Sequence, residues 1–274
     1  LRLIFKFIFF AILLKSFSSH AVEQNKYQKI ATLAPHLTEW AYSLDLGEKI
    51  VAVSAYSDFP EHAKEHPIVS DVNGINLEKL IALQPDLVML WKNSQILGQV
   101  DKLEALGIDI FISDPKTLED IGSEILRLGK VTNKQILANK IVDQYLSDLT
   151  NLRKKFIKMP KRKAFFQIWH SPLITANGDT WIQNLMDVCQ FENPFFQHEV
   201  PYPTVNKEQV LLHNPDIIII SEKSENSAQL SGWQSLSMIN AVKNNKVFNI
   251  DPDHLHRFTR RVLFGIEALC EISQ

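Results

Sequence analysis

Cysteine is scarce in this sequence: Cys189 and Cys270 are the only two among 274 residues. Neither has a second cysteine or a histidine at metal-ligand spacing, so the thiols give no metal site. The nine glycines form no phosphate-binding loop, and neither a nucleophile elbow nor an H-E-x-x-H pair occurs. Basic charge is not in excess, with 29 Lys and Arg against 31 Asp and Glu. That argues against a nucleic-acid partner, which requires a basic surface. Beyond the first residues, no apolar run approaches the about 20 residues that a bilayer span needs.

What is present begins at the N-terminus. Arg2 and Lys6 flank the start of an apolar run over residues 7–14, a polar stretch follows, and Ser19-His20-Ala21 has small-x-small form. This order predicts a secretory signal over residues 1–21, the alternative being a retained membrane anchor. Cleavage would remove Arg2, Lys6 and Lys15 and no acid, taking the net charge from −2 to −5. No cysteine follows the cleavage position, which speaks against a lipid-anchored form. In an exported chain an even cysteine pair predicts one disulfide, Cys189 with Cys270, against two buried free thiols.

An internal repeat organises the rest. NLEKLIALQPDLVML over residues 76–90 matches NKEQVLLHNPDIIII over 206–220, so that Asn76, Glu78, Pro85 and Asp86 recur as Asn206, Glu208, Pro215 and Asp216. Each copy has the same physical parse. Asn caps a short helix, and Glu in the first turn suits the helix dipole. Pro stops the helix, and a continuous apolar run then reads as a buried strand. Further short apolar segments at 29–33, 50–54, 109–112, 164–168 and 246–250 predict strands alternating with helices. The fold expected is α/β with mainly parallel sheets.

Between the copies, residues 135–158 carry no strand signal. Leu137, Ile141, Tyr145, Leu149, Leu152 and Phe156 recur every three or four residues, predicting one amphipathic helix about 38 Å long. Thr132 with Gln135 reads as its capping box and Pro160 as its stop. The expected organisation is an N-terminal lobe over 27–130, a connecting helix over 131–159 and a similar C-terminal lobe over 160–274. A single helical connection predicts a fairly rigid molecule.

Export signal, lobe, long helix, lobe and a paired N-x-E…P-D segment resemble the helical-backbone class of ABC-importer binding proteins. Within the class the chain is most similar to its cobalamin-binding members, from about Tyr27 to Ser273. The matching motifs are ATLAPHLTEWAYSLDLG, VSAYSDFP, INLEKLIALQPDLVMLW, VPYP and DPDHLHRFTRR. The resemblance implies two similar lobes with a ligand cleft between them and no catalytic activity. Cobalamin would be the transported ligand. Tyr56, Trp91, Trp169 and Tyr202 would be its aromatic contacts, with Asp253 and Arg257 at the cleft edge. Glu78 and Glu208 would dock the two lobes onto a dimeric transmembrane permease with its ATPase subunits. The cysteine pair matches positions that are disulfide-linked in the class. The protein would act as a monomer in the periplasm.

The sequence departs from that pattern at Val72, His254 and Leu255, where aromatics are expected, and at Arg260, where Pro is expected. These departures bear on the ligand, since the class also includes haem and ferric-siderophore receptors. Taken alone, each Glu needs no role beyond the helix dipole, and a Trp at a strand end is often core. Trp40 and Trp233 read as packing residues. The rival from another class is a metal-dependent enzyme built on Asp253, His254 and His256.

Overall fold

The computed structural model describes residues 26–223 and 232–272. The expected signal segment lies outside them. The N-terminal half runs β1 (Ile30–Thr32), α1 (Pro35–Ser43), β2 (Ile50–Ser54), β3 (Ile68–Asp71), β4 (Gly74–Ile75), α2 (Leu77–Ala82), β5 (Leu87–Trp91), α3 (Val100–Ala105), β6 (Asp109–Ser113) and α4 (Leu118–Val131). The long helix α5 (Gln135–Phe156) follows. The C-terminal half runs β7 (Arg162–Gln167), β8 (Trp169–His170), β9 (Leu173–Ile174), α6 (Trp181–Val188), β10 (Phe191–Glu192), α7 (Lys207–His213), β11 (Ile217–Ser221), α8 (Asn240–Lys243), β12 (Val247–Ile250), α9 (Pro252–Leu255) and α10 (Val262–Glu271).

Two main sheets result, ordered β4-β3-β2-β1-β5-β6 and β10-β7-β11-β12, beside the small β8-β9 hairpin. Every pairing in the main sheets is parallel except the β3–β4 hairpin. The expected α/β class with mainly parallel sheets is therefore observed. In both copies of the repeat the Asn caps its helix: Asn76 accepts the Lys79 N–H at 2.9 Å and Asn206 the Gln209 N–H at 2.8 Å. The recurring Asp has a function that the sequence did not disclose. Asp86 accepts the backbone N–H groups of Gln28 and Lys29 at 2.7 and 3.0 Å, and Asp216 accepts that of Lys163 at 3.2 Å. Each carboxylate thus fastens β5 or β11 to the neighbouring β1 or β7 at the amino edge of the sheet.

Side chains alternate along the central strands and divide the interior into three cores. Leu87 and Met89 of β5, with Ile217 and Ile219 of β11, enter one core common to both halves. Val88 and Leu90 face an outer N-terminal core, and Ile218 and Ile220 an outer C-terminal one. The shared core also takes the apolar face of α5, including Ile141, Tyr145, Leu149 and Phe156. The long helix is therefore packed into both halves along its length. Its 22 residues span about 33 Å.

Its start differs from expectation. Thr132 does not cap α5; its hydroxyl donates to the Leu128 carbonyl at 2.8 Å and finishes α4. Residue 134 is the N-cap and makes no side-chain cap bond. The two helices meet in a corner so tight that a Cβ on Gly129 would lie 2.4 Å from that of Ala138. A Thr at such a corner serves the helix that ends there. The far end also stops short of Pro160, at Phe156 with Ile157 as C-cap. Cys189, at the end of α6, is disulfide-bonded to Cys270 of α10 as expected.

Candidate functional site

In a doubly wound sheet, ligand crevices form outside the carboxyl ends of the strands, where the strand order reverses. The reversal here falls between β1 and β5 in one sheet and between β7 and β11 in the other. Trp91 is the last residue of β5, and Trp169 lies just past the end of β7. Tyr56 follows β2 on the same edge of the N-terminal sheet. Tyr202 sits on a stretch whose Pro201 and Pro203 carbonyls accept the N–H groups of Asn177 and Thr175 at 2.9 and 3.1 Å. Asp253 and Arg257 follow β12.

Exposure separates these residues into two kinds. Tyr56, Trp169 and Tyr202 are 71, 55 and 50% exposed, a large apolar area to leave in water. Partial burial raises the Tyr202 hydroxyl pKa, so it stays a neutral donor. Trp91 is half-buried, with its ring 5.6 Å from that of Phe258 and 6.2 Å from His36. Its buried Nε1 has no hydrogen-bond partner among the described residues.

Arg257 is only 8% exposed, and its guanidinium is shared among carboxylates from both halves. One nitrogen bonds Asp58 at 2.7 Å and lies 3.3 Å from Glu39; the other is 2.9 Å from Asp253. Arg261 grips Glu39 at 2.9 and 2.6 Å. Burial would raise the Asp58 pKa, but the hydrogen bond and charge of Arg257 outweigh it and hold the carboxyl below its ordinary value. Burial opposes the charge on Arg257, and the Asp58 bond with the three acidic neighbours raises its pKa. Phe258 completes the junction. Its carbonyl accepts the Trp40 Nε1–H at 2.8 Å, and its ring lies 4.7 Å from Trp181. The segments leaving β2 and β12 therefore meet, which brings the carboxyl edges of the two sheets against one another.

The roles of Glu39, Asp58, Phe258, Arg261 and Trp181 are not disclosed by the sequence. Glu39, Asp58, Phe258 and Arg261 lie in recognisable motifs, but nothing in the motifs pairs residues some 200 positions apart. Trp40 and Trp233 are fully buried packing residues as expected. Of the departures, Val72 is exposed at the β3–β4 turn, while Leu255 is buried and its carbonyl accepts the Trp181 Nε1–H at 2.7 Å.

The proposed metal cluster is dispersed. His256 is half-buried and hydrogen-bonded with Ser221 at 2.6 Å, and desolvation lowers its pKa to about 4. His254 lies against Phe264, and Asp253 is held by Lys223 at 2.5 Å and by Arg257. Among the described residues no group of three His, Cys, Asp or Glu could hold a metal ion. Asp253, His254 and His256 thus turn to separate partners and share no common centre.

Glu78 and Glu208 are both exposed in the first turns of α2 and α7. Neither makes an ion pair among the described residues. Each helix enters its strand through a turn of a few residues, so its N-terminus lies toward the carboxyl edge of the sheet. No described helix is long and apolar enough to cross a membrane.

Comparison with known proteins follows this geometry closely. The chain is 38% identical over 245 residues to the vitamin B12-binding protein of Vibrio vulnificus strain CMCP6, covering 89% of each. It superposes on the crystal structure of the periplasmic vitamin B12 binding protein of Vibrio cholerae with a TM-score of 0.82 at 35% identity, covering 90% of this chain and 96% of that one. The periplasmic heme-binding protein from Roseiflexus sp. RS-1 shares the fold, with a TM-score of 0.81, 17% identity and coverage of 90 and 99%. The model of the periplasmic binding protein family matches residues 30–254, and the chain belongs to that family.

Proposed function

We propose that this protein is the substrate-binding component of an ABC importer, that it takes cobalamin between its lobes, and that it delivers the ligand to an inner-membrane permease. The observation that carries the reading is the placement of Tyr56, Trp91, Trp169 and Tyr202 around the facing carboxyl edges of two parallel sheets. Corrin is a large, mostly apolar plate fringed with amides. Flat aromatic side chains match its faces at low entropy cost, and a few polar groups satisfy its amides. Asp253 stands at the polar edge of that cleft, and Arg257 lies behind it, paired with Asp58, Glu39 and Asp253. Near full-length likeness to relatives named for vitamin B12 supports the choice of ligand.

The same reading assigns Glu78 and Glu208 to docking. Two related lobes present two exposed carboxylates to a two-fold permease whose ATPase subunits drive transport, which fixes register and orientation. The protein would act as a monomer in the periplasm after removal of residues 1–21. Val72 supports a second reading, since an exposed aliphatic residue stands where a corrin site would gain from an aromatic. A haem or ferric-siderophore receptor of the same fold is that alternative.

Isothermal titration of the purified protein with cyanocobalamin, haem and a siderophore panel tests the ligand. Saturable one-to-one binding of cyanocobalamin is expected. Its absence, with saturable haem or siderophore binding, would transfer the cleft to the alternative ligand and leave the fold untouched.

A further inference from the structure

Tyr56 has φ 64°, in the left-handed region that a bulky side chain rarely adopts. Such a conformation persists only where its surroundings over-determine it. The three residues after Tyr56 are each fastened to something rigid. The Ser57 hydroxyl lies in a buried chain with Thr38 and Ser54, at 3.0 Å from each, and Thr38 is 2.7 Å from Thr32. Asp58 is bound by Arg257 at 2.7 Å. The Phe59 ring lies beneath the Arg261 guanidinium at 4.1 Å. The hydroxyl chain belongs to the N-terminal half, whereas both arginines come from the C-terminal half.

The arginines are themselves fixed. Glu39 on α1 receives both, Asp253 receives Arg257, and Lys223 meets Asp253. Three carboxylates thus balance three cations, so no buried charge is left uncompensated. Arg257 is largely buried and already engaged on all sides. Its donors are turned to the chain itself, toward the loop that carries an exposed aromatic.

We propose that Arg257 is a positioning residue that sets Tyr56 on the cleft from the opposite lobe, acting through Asp58, with Arg261 and Glu39 holding the arrangement in place. Ligand affinity then depends on the junction between lobes as well as on the cleft surface. One lobe orients a binding residue of the other, which pre-organises the site. The role of Tyr56 rests on the reading of the cleft given above; its orientation by Arg257 does not.

Two measurements separate these claims. The first needs no ligand. Asp58→Asn keeps the side-chain shape and leaves Arg257 paired with Glu39 and Asp253, so the fold is retained. The chain has five tyrosines, which 3-fluorotyrosine labelling resolves as fluorine resonances, the Tyr56 signal being assigned by its loss in Tyr56→Phe. Asp58→Asn and Arg257→Lys should shift or broaden the Tyr56 resonance and leave those of Tyr27 and Tyr145 in place. An unmoved Tyr56 resonance in both variants overturns the proposal whatever the protein binds. The second is a double-mutant cycle with cyanocobalamin as the probe. Asp58→Asn should weaken binding about tenfold in the native background and change it little in a Tyr56→Ala background, because contacting groups couple and independent ones add. Equal losses in both backgrounds would mean that Asp58 acts independently of Tyr56. Absence of cyanocobalamin binding in the native protein would count against the ligand reading alone, the fluorine result still deciding the positioning role.

Discussion

Desolvation keeps two histidines neutral and makes the fold lose stability in acid. His36 is fully enclosed beside Ser113 at 2.8 Å, and desolvation lowers its pKa to about 3. Desolvation likewise takes His256 to about 4. An unfolded histidine titrates near 6.5, so below that pH the unfolded chain binds protons that the folded chain refuses. Stability is then fully present above about pH 6.5 and falls as pH drops toward the folded values, by up to about 1.4 kcal/mol per pH unit for each histidine. Urea denaturation at pH 7, 6 and 5 should show this decline, and His256→Gln should make it shallower. An unchanged slope in that variant would mean that His256 is charged in the native state. Trp91 packs its ring on His36 and Phe258 at the end of its strand, and the proposed cleft gives the same side chain a second task. Trp91→Ala should weaken cyanocobalamin binding by about 2 kcal/mol, roughly 30-fold, measured by titration calorimetry on folded protein. Native affinity in this variant would leave Trp91 as core alone.

At the scale of elements, the repeat shows how much local chemistry can specify. Asn cap, first-turn Glu and Pro-Asp exit recur with the same outcome in α2–β5 and α7–β11, because each signal acts within a few residues of itself. The Thr132–Gln135 reading failed for the converse reason. A Thr between two helices can serve either, and the close approach at Gly129 gave it to α4. The disulfide joins elements that the chain separates by 81 positions, α6 and α10. Both sulfurs are buried. No thiol should titrate in denaturant without reductant, and two should appear with it. Closing so long a loop contributes about 4 kcal/mol in the chain-entropy account. Reduction should lower the denaturation midpoint accordingly while the protein binds the same ligand. Two titratable thiols before reduction would exclude the bond in solution.

At the scale of the molecule, the three cores explain why a helix can join two lobes without giving them free rein. Alternate residues of β5 and β11 enter one core with α5, and the Arg257–Glu39–Asp58 junction fastens the cleft side. Movement between the lobes would have to disturb both, so a largely pre-formed cleft follows. The proposed docking belongs to this scale because it would use both lobes at once. Reversing Glu78 and Glu208 to Arg should leave calorimetric ligand binding intact and sharply reduce uptake in vesicles carrying the permease. Like charges across the contact cost several kcal/mol, and each single reversal should hurt less than the pair. Normal uptake by the double variant would return both residues to the ordinary role of first-turn acids.

The sequence by itself determined the alternation of strands and helices, the paired caps and the long amphipathic helix, and it supplied the aromatic set proposed for the cleft. Each of these rests on periodicity, on a short motif, or on motifs whose spacing the family shares. Only the tertiary structure decided that Asp86 and Asp216 tie neighbouring strands, that α5 lies in a core common to both lobes, and that Arg257 reaches Asp58 and Glu39. It also dispersed Asp253, His254 and His256 onto separate partners. The physical reason is range: caps and turns are settled by neighbours in the chain, whereas the partner of a buried charge is whichever opposite charge the packed fold brings within hydrogen-bond distance.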